Sequence, residues 1–361
     1  MGTCRLCGRR SKEISSFIGL CRECIVERPD EALKIAEQKH KELRGLFSLQ
    51  YPIPSEGIKC DLCGNECRIP DGGVGFCGLT KNEGGRLVRP EDLIAEIYYD
   101  PHPTNCVPME FCGASGAGYP EYSYTRGREY GYYNLSVFCI GCSSSCPFCQ
   151  NWHFLEMLRE KERYRISKEK FISYIHDKVS CVCFFGGDPT VQMDKIIDYC
   201  EEARERLDDR ILRFCLETNG NFNKGLLKRF ATISLASGGG IKFDLKFYDP
   251  NLSKVITGMD NERSYECFEM LGDLHRERSR PPFLRASTLL LPGYVTPDEV
   301  EEIAKFISSI SPDIPYSLLA FHPDFMMRDM PHTLRKTALE CKKRAERHLK
   351  RVRIGNPWLL V

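Results

Sequence analysis

From Asn134 onward, short runs rich in β-branched and aromatic residues alternate with stretches of helical periodicity, and this alternation constrains the fold more than any other feature of the chain. Strands are read near 134–139, 181–185, 211–216, 241–245, 283–290 and 315–320. The segments between them include SKEKFISYIHD, QMDKIIDYCEEARERL, NERSYECFEMLGDLHRER and TPDEVEEIAKFISSI, with apolar residues at helical spacing. Connections of this kind join parallel strands, so the expectation is an α/β fold built of βα units. In such folds, chemistry is carried at the carboxyl ends of the strands.

One strand end stands out. The run YYNLSVFCIG leads directly into CSSSCPFC, in which Cys142, Cys146 and Cys149 form a closely spaced set. Three thiolates can hold three corners of a cubane iron–sulfur cluster, whereas an electron-transfer cluster of the ferredoxin type takes four. The fourth iron is then free to bind something other than protein, which is the layout of a catalytic metal site.

Composition sets the context. With 361 residues and 42% hydrophobic content, the chain can bury the core of one large domain with small appendages. Basic and acidic residues number 51 and 50, so there is no electrostatic footprint for nucleic acid or an anionic membrane. The basic run KKRAERHLKRVR at 342–353 reads as the solvated face of a helix. No apolar stretch follows Met1–Arg10 as in an export signal, and no run approaches the length of a membrane span, so the expected location is the cytoplasm. In that reducing compartment, cysteines in CxxC pairs are metal ligands rather than disulfides.

Two further cysteine sets precede the strand–helix alternation. Cys4, Cys7, Cys21 and Cys24 form two CxxC pairs that can converge on one tetrahedral ion, zinc or else mononuclear iron. A helical segment, PDEALKIAEQKHKELRGLFSL, then links this knuckle to the body. Cys60, Cys63, Cys67 and Cys77 supply four more ligands, which would close either a structural zinc site or a fully ligated auxiliary cluster. Cys106, Cys112 and Cys139 are read as ordinary buried or loop thiols, the alternative being a ligand for a further site.

The cysteine triplet has an aromatic, Phe148, just before its last member. It is followed by GGDP at 186–189, ETNG at 217–220, DLK at 244–246, RAST at 285–288 and FHP at 321–323. Together these motifs resemble the radical S-adenosylmethionine (radical SAM) superfamily. Their order is similar to that of the pyruvate formate-lyase activating enzyme branch and of AmmeMemoRadiSam-type proteins, over residues 60–361. The resemblance implies a partial (β/α)6 TIM-like barrel at 126–361. Before it would come an N-terminal cysteine-rich metal-binding extension, divided into a knuckle and linker helix at 1–45 and a second cysteine-rich segment at 46–125.

It also implies a 4Fe-4S cluster on Cys142, Cys146 and Cys149, with S-adenosyl-L-methionine beside it. Gly186 and Gly187 would let the backbone approach the methionyl end, next to Asp188, where the family more often has Glu. Glu217, Thr218, Asn219, Asp244 and Lys246 match positions that bind the cofactor or a neighbouring monovalent cation. Lys246 and Arg285 suit a carboxylate, and Ser287 and His322 suit ribose or methionyl groups.

The implied reaction is reductive cleavage to methionine and a 5′-deoxyadenosyl radical, which removes a hydrogen atom from a substrate. An electron donor such as a ferredoxin or flavodoxin is implied. The substrate could be a protein glycine, a peptide, a tRNA or a small metabolite. The competing reading is a non-catalytic iron–sulfur or zinc protein that carries electrons or scaffolds a partner. Such a protein would not need the motif series from Gly186 to His322. A nucleic-acid-binding role for the knuckles is disfavoured by the near-zero net charge.

Overall fold

The computed structural model describes residues 1–104, 109–207 and 210–361. Its centre is a nine-stranded sheet. In chain order the strands are β1 (Leu93–Pro101), β2 (Tyr133–Cys139), β3 (Arg165–Ile166), β4 (Val179–Gly186), β5 (Arg213–Thr218), β6 (Ile241–Asp244), β7 (Leu284–Leu290), β8 (Tyr316–Ala320) and β9 (Val352–Gly355). The spatial order is β9-β8-β7-β6-β5-β4-β2-β1-β3. All six expected strands form and run parallel, and β9 adds a seventh at one edge. The other edge is antiparallel, β1 pairing with β2 and β3 with β1. The order is linear, so the barrel is partial.

Two features depart from the sequence reading. The basic run is helical only as far as Ala345, where the helix Arg335–Ala345 ends, and Val352 then opens β9. Residues 93–101, read only as part of a lead-in segment, instead extend the central sheet.

Local chemistry accounts for the crossover helices. Helix α1 (Lys168–Ser173) starts at Ser167, whose side chain accepts from the Lys170 amide. Helix α2 (Lys224–Ala236) starts at Asn223, which accepts from the Gly225 and Leu226 amides. Asp249 caps α3 (Pro250–Thr257) in the same way, with Pro250 in the first turn and Gly258 at φ 68° ending it. Thr296 caps α4 (Pro297–Ile310), again with a proline in the first turn.

Strand alternation divides the sheet chemically. Leu135, Val137, Val182, Phe184, Phe214, Leu216, Ile241, Phe243, Leu284 and Ala286 belong to the main apolar core, and edge-on ring contacts join Phe184 to Phe230 and Phe243 to Phe268 on the helices. The opposite set includes Ser136, Cys183, Cys215, Glu217, Lys242, Asp244 and Arg285, which line cavities on the concave side. In closed eight-stranded barrels the interior is packed with branched apolar side chains. Here it is polar, and its deep end is braced by a buried ion pair, Arg213 Nη2 to Glu129 Oε2 at 2.6 Å.

Candidate active site

The loop that carries the cysteine triplet leaves the end of β2 and is braced from four directions. Asn219, at the end of β5, donates to Ser143 Oγ at 3.0 Å and lies 3.7 Å from Cys142 Sγ. Asn65, in the second cysteine-rich segment, donates to the Ser143 carbonyl at 2.8 Å. The Ser145 amide and the Ser144 hydroxyl both donate to the Thr257 carbonyl at the end of α3. His40, on the helix Pro29–Gly45, lies 3.2 Å from Ser145 Oγ and 3.1 Å from the Val255 carbonyl. Burial holds its ring neutral, with its pKa lowered to about 4.

All three thiols line one cavity of about 340 Å³ at the carboxyl ends of the strands. Burial pushes each of them up, Cys149 to about 12. Binding a metal or cluster there must therefore release protons. Lys246 faces the triplet, and its positive charge works against the rise at Cys146 and Cys149.

The strand-end motifs fall around the same cavity. Phe148, Gly186, Gly187, Asp188, Glu217, Thr218, Asn219, Asp244 and Lys246 all line it. The two glycines are demanded by the protein's own backbone. A Cβ on Gly186, whose φ is +118°, would sit 2.7 Å from the Cys139 carbonyl oxygen, and one on Gly187 would sit 2.3 Å from that of Gly141. Their absence of side chains lets the end of β4 nest against the turn that launches the cysteine loop.

Asp188 is equally committed. Its carboxylate accepts from the Thr190 amide at 2.9 Å, the Asn219 amide at 2.6 Å and the Thr218 hydroxyl, tying the ends of β4 and β5 together. Phe148 meets Phe247 edge-on at 6.4 Å, which wedges the last turn of the loop against the end of β6.

Three further residues singled out from sequence lie apart from this lining. Arg285 stands near the start of β7, opposite Lys242 in register, and lines a neighbouring cavity of about 210 Å³ deeper in the sheet. Ser287 reaches the first cavity through Asp244, to which its hydroxyl donates. His322 is partly buried, with Nδ1 3.4 Å from its neighbour's carbonyl, Pro323 O.

Lys242 was not anticipated, yet it lines both cavities. Its signal was available in IKFD, where Ile241 and Phe243 alternate with Lys242 and Asp244. Gln150, Asn151 and Asn356 add polar groups to the lining, and Leu289 and Leu319 add an apolar patch.

Of the other cysteines, Cys4, Cys7, Cys21 and Cys24 bring their sulfurs within 4.8 Å of one another, a metal-binding arrangement. Cys60, Cys63 and Cys67 are buried and Cys77 is partly exposed; burial, then the neighbouring Cys77, Cys67 and Cys60, pushes the Cys63 thiol up. Cys112 and Cys139 are buried thiols, and Cys106 lies outside the described residues.

Residues 136–307 match the sequence profile of the Radical SAM superfamily. The chain carries a radical SAM domain. This domain and the relatives described below support an enzyme that uses S-adenosylmethionine-cleaving radical chemistry. The matched span runs from β2 through most of α4 and takes in every motif from the triplet to Thr288.

Among curated proteins, the chain is 27% identical over 192 residues to a Methanocaldococcus jannaschii protein named as a glycyl-radical enzyme activating enzyme, covering 52% of this chain and 67% of that one. It is 24% identical over 202 residues to the pyruvate formate-lyase-activating enzyme of Streptococcus mutans, covering 54% and 74%. An uncharacterised M. jannaschii protein aligns over 309 residues at 22% identity, covering 83% and 81%. No helix among the described residues is long and apolar enough to cross a membrane.

Proposed function

We propose that Cys142, Cys146 and Cys149 hold a 4Fe-4S cluster with one iron free of protein ligands, and that S-adenosylmethionine lies beside it in the 340 Å³ cavity. The observation that carries this reading is that three thiols and the ends of β4, β5 and β6 line the same cavity. When bound, the pair supplies an electron and a 5′-deoxyadenosyl radical able to remove a hydrogen atom from an unreactive C–H bond.

The protein's part is to bind, orient and exclude water. Asn219, Asn65 and His40 fix the loop that opens the three thiols onto this cavity. Lys246 and Lys242 offer positive charge to a ligand carboxylate. Leu289 and Leu319 offer an apolar surface to a base. Arg285 and His322 are proposed as further contacts to the ligand, and Ser287 acts by orienting Asp244.

We further propose an activating-enzyme-like substrate, a glycine in a partner protein or peptide, with a ferredoxin or flavodoxin as electron donor. The support is the naming of two relatives as activating enzymes of this kind. For the N-terminal quartet the reading is zinc or mononuclear iron. Metal–sulfur bonds of about 2.3 Å make a tetrahedron with sulfur–sulfur edges of about 3.8 Å, and Cys7 Sγ lies 3.8 Å from Cys21 Sγ. Cys60, Cys63, Cys67 and Cys77 are proposed as a second closed site, of zinc or an auxiliary cluster. The proposed division runs at residues 45 and 125, with 93–101 of the middle segment joined to the central sheet.

The test is anaerobic reconstitution with iron and sulfide, reduction with dithionite, and chromatography for 5′-deoxyadenosine. The nucleoside should appear only in the presence of S-adenosylmethionine. A protein that binds a cluster but yields none would defeat the reading.

A further inference from the structure

Glu217 is the last residue but one of β5 and Asp244 is the last residue of the neighbouring β6, so two carboxylates line the cysteine-lined cavity side by side. Two anions so placed repel each other, and an anionic ligand above them would add a third charge. The structure already supplies a cation between them. Lys242 Nζ lies 3.1 Å from Glu217 Oε2 and 2.8 Å from Asp244 Oδ1.

The register explains the placement. Lys242 stands directly opposite Glu217 on β5, and Asp244 is two residues further along the same face of β6. The Lys242 side chain is only 6% exposed, whereas those of Glu217 and Asp244 are 22% and 33% exposed, so the carboxylates face the cavity over a sunken ammonium. Ser287 donates to the Asp244 oxygen that Lys242 holds, and Lys246 lies 3.7 Å from the other. Burial alone would raise Asp244, but the Lys242 ammonium, followed by that of Lys246, holds it down at about 2. The Asp244 carboxylate is thus charged at neutral pH, and the same contacts hold the Lys242 and Lys246 ammoniums charged beside it.

We propose that the Lys242 ammonium is a tethered cation that does the work of a bound monovalent ion between Glu217 and Asp244. The site then has no need of potassium from solution. An ammonium carries three N–H donors, and with two spent on the carboxylates the third is left for an anionic group in the cavity. This last point rests on the placement of S-adenosylmethionine given above; the compensation of Glu217 and Asp244 does not.

The experiment compares the wild-type protein with Lys242→Met, which removes the charge and keeps much of the length. Thermal unfolding is followed at constant ionic strength in potassium, ammonium or N-methylglucamine chloride. The wild type should melt at the same temperature in all three salts. Lys242→Met should melt lower in N-methylglucamine and recover selectively in potassium or ammonium. A variant indifferent to the cation, or a wild type that needs potassium as much as the variant does, would overturn the proposal.

If the single variant does not fold in N-methylglucamine, Lys242→Met with Glu217→Gln removes one carboxylate and should restore folding. A double variant no more stable than the single one would show that charge compensation is not the role. Titration of the reconstituted proteins with S-adenosylmethionine separates this idea from the reading it builds on. Lys242→Met should bind about tenfold more weakly in N-methylglucamine and regain affinity in potassium. Cation rescue of melting without any effect on that affinity would uphold the tethered cation and remove S-adenosylmethionine from this cavity.

Discussion

The chain uses cysteine in two opposite ways. At the N-terminus, four sulfurs lie within 4.8 Å of one another and would enclose an ion completely. At the end of β2, three thiols share the wall of a 340 Å³ cavity with two lysines and several carboxylates. A closed set leaves no position for a reactant and serves folding, whereas an open set facing a cavity leaves one. The surroundings match the distinction. Near the knuckle, Ile14, Ile18, Leu20 and Ile25 are buried, and the Tyr294 hydroxyl donates to the Leu20 carbonyl at 2.9 Å, so this segment is a packing element. Around the triplet the contacts are hydrogen bonds that aim a loop.

The most severe way to challenge this contrast is to replace Cys142, Cys146 and Cys149 together by alanine. Production of 5′-deoxyadenosine should fall below detection while metal stays bound at the N-terminal cysteines, measured by elemental analysis against the Cys4→Ser, Cys21→Ser variant. Surviving cleavage would show that the open site lies elsewhere. The reciprocal change, Cys4→Ser with Cys21→Ser, should release the N-terminal metal and expose residues 1–27 to limited proteolysis, with cofactor cleavage retained in the body. Loss of cleavage with the fold intact would mean that the knuckle is not merely structural. Deleting the whole of 1–45 would be a blunter instrument, because His40 on the helix Pro29–Gly45 braces the cysteine loop directly.

A smaller effect is expected from pH. With its folded-state pKa lowered to about 4, His40 refuses a proton that the unfolded chain accepts below about 6.5. Above that range the ring is neutral in both states and contributes no pH dependence. As pH falls from about 6.5 towards 4, stability is lost, by up to about 3 kcal/mol for this one group. Urea unfolding at pH 7 and pH 5 should show a smaller difference for His40→Phe than for the wild type, and equal differences would refute the linkage. The smallest effect belongs to Arg9, whose ion pair with Glu23 is more than half exposed on both sides. Arg9→Ala should leave melting temperature and metal retention unchanged. A clear loss of metal would make that surface pair part of the knuckle.

Much of this arrangement was legible beforehand because period-2 and helical patterns survive wherever strands are buried on one face by helices. All six expected strands formed within about two residues of their expected ends. The edge strands escaped for a physical reason. β9 is short, and its Arg353 continues a basic run, while β1 is half exposed and mixes Glu96 and Asp100 with apolar residues. β9 at its edge, and β1 beyond Ile94 where β3 no longer pairs with it, lack the second neighbour and the full burial that sharpen the pattern. Lys242 and Arg285 were harder to place because a charged residue inside a strand sequence suggests a solvent face. Here that face looks inward. RAST begins near the start of β7, so Arg285 opens towards the deeper cavity, whereas DLK begins at the last residue of β6 and meets the cysteines.

The polar inner face of the sheet also separates two kinds of mutational cost. The nonpolar mass of the domain lies between strands and helices, in a shell around a hydrophilic axis. A change at Ser136, Cys183 or Cys215 alters the shape and polarity of a cavity wall without opening a void in that shell. A change at Phe184, Phe214 or Phe243 removes part of the shell itself. Selection can therefore reshape what the axis admits, one residue at a time, while the protein's margin of stability is held in a separate layer.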